Sequence, residues 1–138
     1  MSITPIEVAM HHLRADEDDE ADVQRKLEAA EEIAAQYMGR AIYPDAETCR
    51  QAFVEAQEKM RQLVEANQGV IGLDDSFVYH ELLMQTRGVV MGPAIEAGVL
   101  LILGTLYAHR EDVTVGVSAT ELPIAATHRV QPNRIMGV

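Results

Sequence analysis

Apolar positions recur at helical spacing through most of this chain, and one stretch consists of little else. Residues 92–110 read GPAIEAGVLLILGTLYAHR. Pro93 stands where a first helical residue would, its φ preset and its missing N–H no loss there. Behind it Ile95, Val99, Leu100, Leu101, Ile102, Leu103, Leu106 and Tyr107 cover nearly the whole circumference of a helix. A helix apolar all round needs other helices, or lipid, as its cover. The uncharged run 97–108 is twelve residues, short of the roughly 20 that cross a bilayer. The pattern therefore predicts the central helix of a soluble domain, with no membrane as partner.

Amphipathic segments precede it. Thr4-Pro5-Ile6-Glu7 reads as a helix start, with Thr4 as cap, Pro5 in the first turn and Glu7 reaching back to the cap backbone. Ile6, Ala9, Met10 and Leu13 then line one face as far as Arg14. From about 19 to 38, Val23, Leu27, Ala30, Ile33, Ala34, Tyr37 and Met38 form an apolar side. Opposite lie Gln24, Arg25, Lys26, Glu28, Glu31 and Glu32, a solvent face with charge pairs at helical spacing. Gly39 supplies a left-handed stop, and Pro44 forbids easy continuation. Residues 45–91 read as a helical insertion. Asp45 caps a helix to about Ala66, in which Cys49, Ala52, Phe53, Ala56, Met60, Leu63 and Val64 repeat. A shorter helix from Ser76 to Thr86 presents Tyr79, Leu83 and Met84, and Gly88 and Gly92 bracket the link onward.

After Arg110 the pattern changes. Val113-Thr114-Val115-Gly116-Val117-Ser118 is β-branched and reads as an extended arm or hairpin. Glu121-Leu122-Pro123 opens a short segment from Ile124 to His128, before Gln131-Pro132-Asn133-Arg134 breaks any helix. Residues 113–138 carry three formal charges, Glu121, Arg129 and Arg134. A tail this neutral calls for cover, and another subunit is the natural source. The interface candidates are Val113, Val115, Gly116, Val117, Leu122, Pro123, Ile124, Arg129, Arg134 and Ile135. The fold expected is all-α: one domain over 1–138, a small helical bundle around the central apolar helix at about 92–110, with an arm and a C-terminal tail over 113–138.

Composition refines this picture. Trp is absent, and Tyr and Phe number four and two, so the core is aliphatic. Twenty-two acidic residues against 11 basic ones give a formal charge of −11. That argues against a protein gripping nucleic-acid phosphates, which needs basic patches, yet suits a surface that DNA slides past without sticking. The single Cys49 forms no internal disulfide and points to a reducing compartment, and its place on an apolar face suggests a buried structural thiol. No basic-then-apolar leader opens the sequence, so secretion is not expected.

Candidate chemistry is sparse. The acidic run 16–20 reads as a turn whose carboxylates cap the next helix. A divalent-cation loop is the alternative, though the ligand alternation, turn glycine and distal Glu of a calcium loop are missing. His11, His12, His80, His109 and His128 belong to no HExxH or Cys/His array, and none follows a Glu by three residues. Glu96 is the odd carboxylate of the apolar helix, structural by default and a general base only if it had a partner. No nucleophile elbow, Walker loop or dinucleotide-binding glycine motif occurs. The reading is of no catalytic residue, no cofactor, no metal and no enzyme.

Four segments in order carry a resemblance: ITPIEVAMHHLRADEDDEAD, AAEEIAAQYMGRAI, PAIEAGVLLILGTLYAHRED and VGVSATELP. Together they resemble the tailed-phage head–tail connector (adaptor) family. Its members begin with a short helix ending in a His-Leu-Arg-like run and an acidic turn, here His12-Leu13-Arg14 and the acidic residues 16–20. A long helix closing on Gly-Arg comes next, here Gly39-Arg40, and then an apolar helix ending in Tyr-x-x-Arg-Glu, here Tyr107, Arg110 and Glu111. The arm and Leu-Pro step match at 116–123. The resemblance implies an all-α structural protein, not an enzyme, assembling as a ring of about twelve subunits. It also implies a place in the virion at the head–tail interface, after assembly in the host cytoplasm. Its partners would be the portal and a tail-side stopper or tail-completion protein, with DNA passing through the channel without sequence-specific binding. The arm 113–122 would contact a neighbour or the next connector protein, and the tail would approach the portal. Two features depart from the family: the insertion before the central helix, whose helices would decorate the outer rim, and the ending VQPNRIMGV, without a Leu-rich helix or Tyr-Arg finish. The competing reading from the residues alone is a small acidic cytoplasmic helical protein–protein interaction module.

Overall fold

The computed structural model describes residues 2–70, 72–109 and 124–135. Among them the architecture is all-α apart from one short strand pair: α1 (Ile6–Leu13), α2 (Glu20–Met38), β1 (Ile42–Tyr43), α3 (Ala46–Ala66), α4 (Leu73–Thr86), β2 (Val89–Val90), α5 (Pro93–Ala108) and α6 (Ile124–Val130), with 3₁₀ turns at Glu17–Asp19 and Gln131–Asn133. The chain divides into two compact units, Met1–Met38 with Met91–Val138, and Gly39–Val90. The arm expected at 113–122 lies outside the described residues.

In the first unit α5 packs against α1, α2 and α6. Its buried residues are Ile95, Gly98, Val99, Ile102 and Leu103, one stripe at i, i+3, i+4, i+7 and i+8. Leu100, Leu101, Leu106 and Tyr107 are half-buried. This corrects the expectation of burial all round: the three partner helices cover one broad face of α5. From α2, Val23, Leu27, Ala30, Ala34 and Met38 are fully buried. At about 2 kcal/mol for each large side chain, the stripes of α2 and α5 are the main source of cohesion. Gly39, at φ 67, ends α2 in the left-handed region that glycine enters without penalty. Ala126 and Val130 of α6 are fully buried as well.

The start of α1 differs from the sequence reading. Pro5, not Thr4, is the N-cap, with ψ 137, and its carbonyl accepts from Val8 N at 3.1 Å and Ala9 N at 3.3 Å. Thr4 is drawn inward instead, and its Oγ1 is buried with no hydrogen-bond partner among the described residues. α1 stops at Arg14, which takes φ 52 and donates its N–H to the carbonyls of His11 and Met10.

The second unit is an α3–α4 helical hairpin footed by two parallel two-residue strands, Ile42 opposite Val89 and Tyr43 opposite Val90. Strands this short leave no alternation to read in the sequence. Asp45 caps α3 as its sequence predicts, accepting from Thr48 N at 2.7 Å and Thr48 Oγ1 at 3.0 Å. Those two donors hold the carboxyl below the usual range. α4 begins at Leu73 after a Gly72 N-cap, three residues before the expected Ser76. Arg40 ties the foot together, donating Nε to the Arg87 carbonyl at 2.6 Å and Nη2 to that of Gly88 at 3.2 Å. Of the apolar set read on α3, Ala56 alone is fully buried. Cys49 is half-buried, a correction to the buried thiol expected, because a two-helix hairpin covers one side of each helix and leaves the flanks to solvent.

Candidate functional site

The interface candidates divide at the edge of the described residues. Val113, Val115, Gly116, Val117, Leu122 and Pro123 lie outside them. Ile124, the first residue of α6, is 77% exposed, and Arg129 is exposed on the same helix. Arg134 lies over the Tyr37 ring, its guanidinium carbon 4.7 Å from the centroid, a cation–π contact that returns the chain to α2. Ile135 N donates to the Met38 carbonyl at 3.0 Å. Ala126 and Val130 take their cover from the same chain, where the sequence suggests a neighbouring subunit for the whole tail. Ile124 and Arg129 remain outward.

Glu31 is the residue that the sequence reading misplaces. Assigned to the solvent face, it is buried at 9% exposure. Both of its carboxylate oxygens accept from Ile3 N at 3.0 Å, and Oε1 also accepts from Thr4 N at 2.7 Å. Gln24 Nε2 donates to Ser2 Oγ at 3.0 Å, and Ser2 Oγ donates to the Thr4 carbonyl. The N-terminal backbone is thus strapped along α2 by charge-assisted bonds. The signal is present in the sequence: Glu31 stands four residues after Leu27 and three before Ala34, inside the apolar stripe.

A second cluster joins the acidic turn to α5. Tyr107 donates its hydroxyl to Asp19 Oδ2 at 2.8 Å. Lys26 Nζ sits 5.7 Å from the Tyr107 ring centroid and pairs with Asp22. The sequence assigns the Asp19 carboxylate to the start of α2; its side chain crosses to another helix instead. Glu96 occupies the first turn of α5, where a carboxylate complements the helix end. No group of three or more His, Cys, Asp or Glu that could hold a metal ion occurs among the described residues, and no described helix is long and apolar enough to cross a membrane.

At the foot of the second unit an open apolar groove of about 290 Å³ is lined by Ala46, Cys49, Arg50, Phe53, Thr86, Gly88 and Val90. Three of the α3 residues, Cys49, Arg50 and Phe53, stand at i+3, i+4 and i+7 from Ala46, so one helix face forms its wall. Burial, with the nearby Cys49 and Glu55, pushes the neighbouring Tyr43 phenol up. Comparison with protein-family models, curated proteins and solved structures finds no match to the chain.

Proposed function

We propose that the chain is a structural subunit of a tailed-phage head–tail connector ring, joining the portal to tail-side proteins and lining the path of the DNA, with no enzymatic role. One observation carries the reading. The described parts of the segments that resemble the connector family, Gly39 to Ile42 apart, fall in the first compact unit, while the described residues of the insertion that departs from it fall, but for Met91, in the second. A family core with an independent addition divides in this way. The formal charge of −11 suits a wall that a duplex passes without adhering. Exposed Ile124 and Arg129 leave one face of α6 free for a neighbour or a portal.

The runner-up, a small acidic interaction module, draws support from α6, whose inner side is covered within its own unit. Negative-stain microscopy and native mass spectrometry at high concentration, with a portal pull-down, separate the two. Closed rings and portal binding are the expected result. A chain that stays monomeric, ignores portals and pairs with a small basic protein overturns the connector reading.

A further inference from the structure

Two features of the second unit match each other but cannot meet within one chain. The first is the groove at the foot of the hairpin, with Phe53, Cys49 and Val90 in its lining and the exposed Arg50 beside them. The second is the far end, where Val70 in the turn is 72% exposed and Phe77 on α4 is 69% exposed. Nine residues of helix separate Phe77 from Thr86 at the groove, about 14 Å at 1.5 Å per residue. Val70 lies beyond the start of α4. The hairpin is held by its own packing and by the Arg40 bonds to the carbonyls at its foot, so the tip does not fold back into its own groove.

Charge is divided in the same way. Residues 58–81 carry five acidic side chains against two basic ones, and one of the two, Arg61, is bonded to both Glu58 and Glu65. The foot, 39–55 with 84–90, carries Arg40, Arg50 and Arg87 against Asp45, Glu47 and Glu55, and of these charged residues Arg50 is the one that lines the groove. The tip is acidic with an aromatic knob, and the foot, balanced in charge overall, sets the exposed Arg50 beside an apolar hole of a size to take one large side chain. An exposed apolar group complementary to a pocket elsewhere on the same molecule makes a head-to-tail contact, which closes into a ring or runs on as a filament.

We infer that the second unit is a self-association module: the Val70/Phe77 tip of one copy enters the Phe53/Val90 groove of the next, with Arg50 facing the acidic tip. This goes beyond the ring reading, which leaves the insertion as decoration at the rim, and gives the insertion a contact between copies.

Sedimentation velocity of the full chain over a concentration series tests it. Wild type grows in mass with concentration. Phe77→Asp at the knob and Val90→Asp at the hole each move that growth to at least about tenfold higher concentration. Arg50→Glu, on an exposed side chain, weakens it in the same direction and guards against misfolding as the cause. An equimolar mixture of Phe77→Asp and Val90→Asp restores one intact tip and one intact groove per pair, so it forms a one-to-one dimer and grows no further. Wild type that remains monomeric throughout, variants that assemble as wild type does, or a mixture that stays monomeric would each overturn the inference. Rings that form unimpaired with Phe77→Asp sink this contact and leave the connector reading standing. Tip-to-groove chains without closed rings or portal binding do the reverse.

Discussion

Glu31 accepts from two consecutive backbone N–H groups that would otherwise be left without partners as the chain enters α1. Removing the carboxylate strands those donors, and each buried group left unpaired costs about 1–3 kcal/mol. Glu31→Ala is therefore expected to destabilise the first unit by about 2–4 kcal/mol in urea titration. Glu31→Gln, which keeps one acceptor and the shape, is expected to lose less than half of that. Equal stability of Glu31→Ala and wild type would show that the strap holds nothing. Residues of this kind are the least legible in the sequence. Hydrophobic patterning sorts side chains by polarity, and a carboxylate inside an apolar stripe is scored as an interruption when it is in fact a cap for distant backbone. Thr4 misleads for a related reason: its type fits a cap, but Pro5 already presents a carbonyl in that position, and Thr4 itself is drawn towards Glu31.

Element boundaries are far more legible, because they are written in local chemistry. Gly39 stops α2, Asp45 starts α3 and Pro93 starts α5 as their residue types dictate. What the sequence does not show is which face of α5 is used, since its apolar residues run around most of the helix and periodicity carries no direction there. Two glycines of α5 test the assignment with opposite signs. A Cβ at Gly98 would stand 2.7 Å from Val130 Cγ1 and 3.5 Å from the Ala126 carbonyl. Val130 is fully buried and has nowhere to retreat, so α6 approaches α5 closely only because residue 98 lacks a side chain. At Gly104 the nearest group is His12 Nε2 at 3.9 Å. Gly98→Ala is expected to destabilise by about 1–2 kcal/mol, the overpacking penalty outweighing the helix gain. Gly104→Ala has no clash to offset the same gain and is expected to stabilise by about 0.5–1 kcal/mol. Thermal and urea unfolding of the pair measure both. Two stabilising substitutions would mean that α6 does not seat on Gly98.

For the whole molecule, the two units differ in what holds them. Among the described residues the largest fully buried side chains are Leu27, Met38, Leu103, Val23, Val99, Val130 and Thr4, and all fall in the first unit. The second unit buries Ala56 completely and Leu82 and Met84 nearly so, while Phe53, Val54, Val64, Val70, Phe77, Val78 and Val90 are exposed. Local opening depends on the density of buried apolar contact, so at low concentration amides of α3 and α4 are expected to exchange at least about tenfold faster than those of α2 and α5 in native-state hydrogen exchange. Association changes the comparison in a defined way. A contact that buries Phe77 against Phe53 and Val90 of another copy stabilises the second unit by mass action. Raising the protein concentration should therefore slow exchange in α3 and α4 while leaving α2 and α5 unchanged. Uniform protection across both units, at every concentration, would mean that the hairpin gets its stability within the single chain, and its exposed apolar residues would then need another explanation than a neighbouring copy.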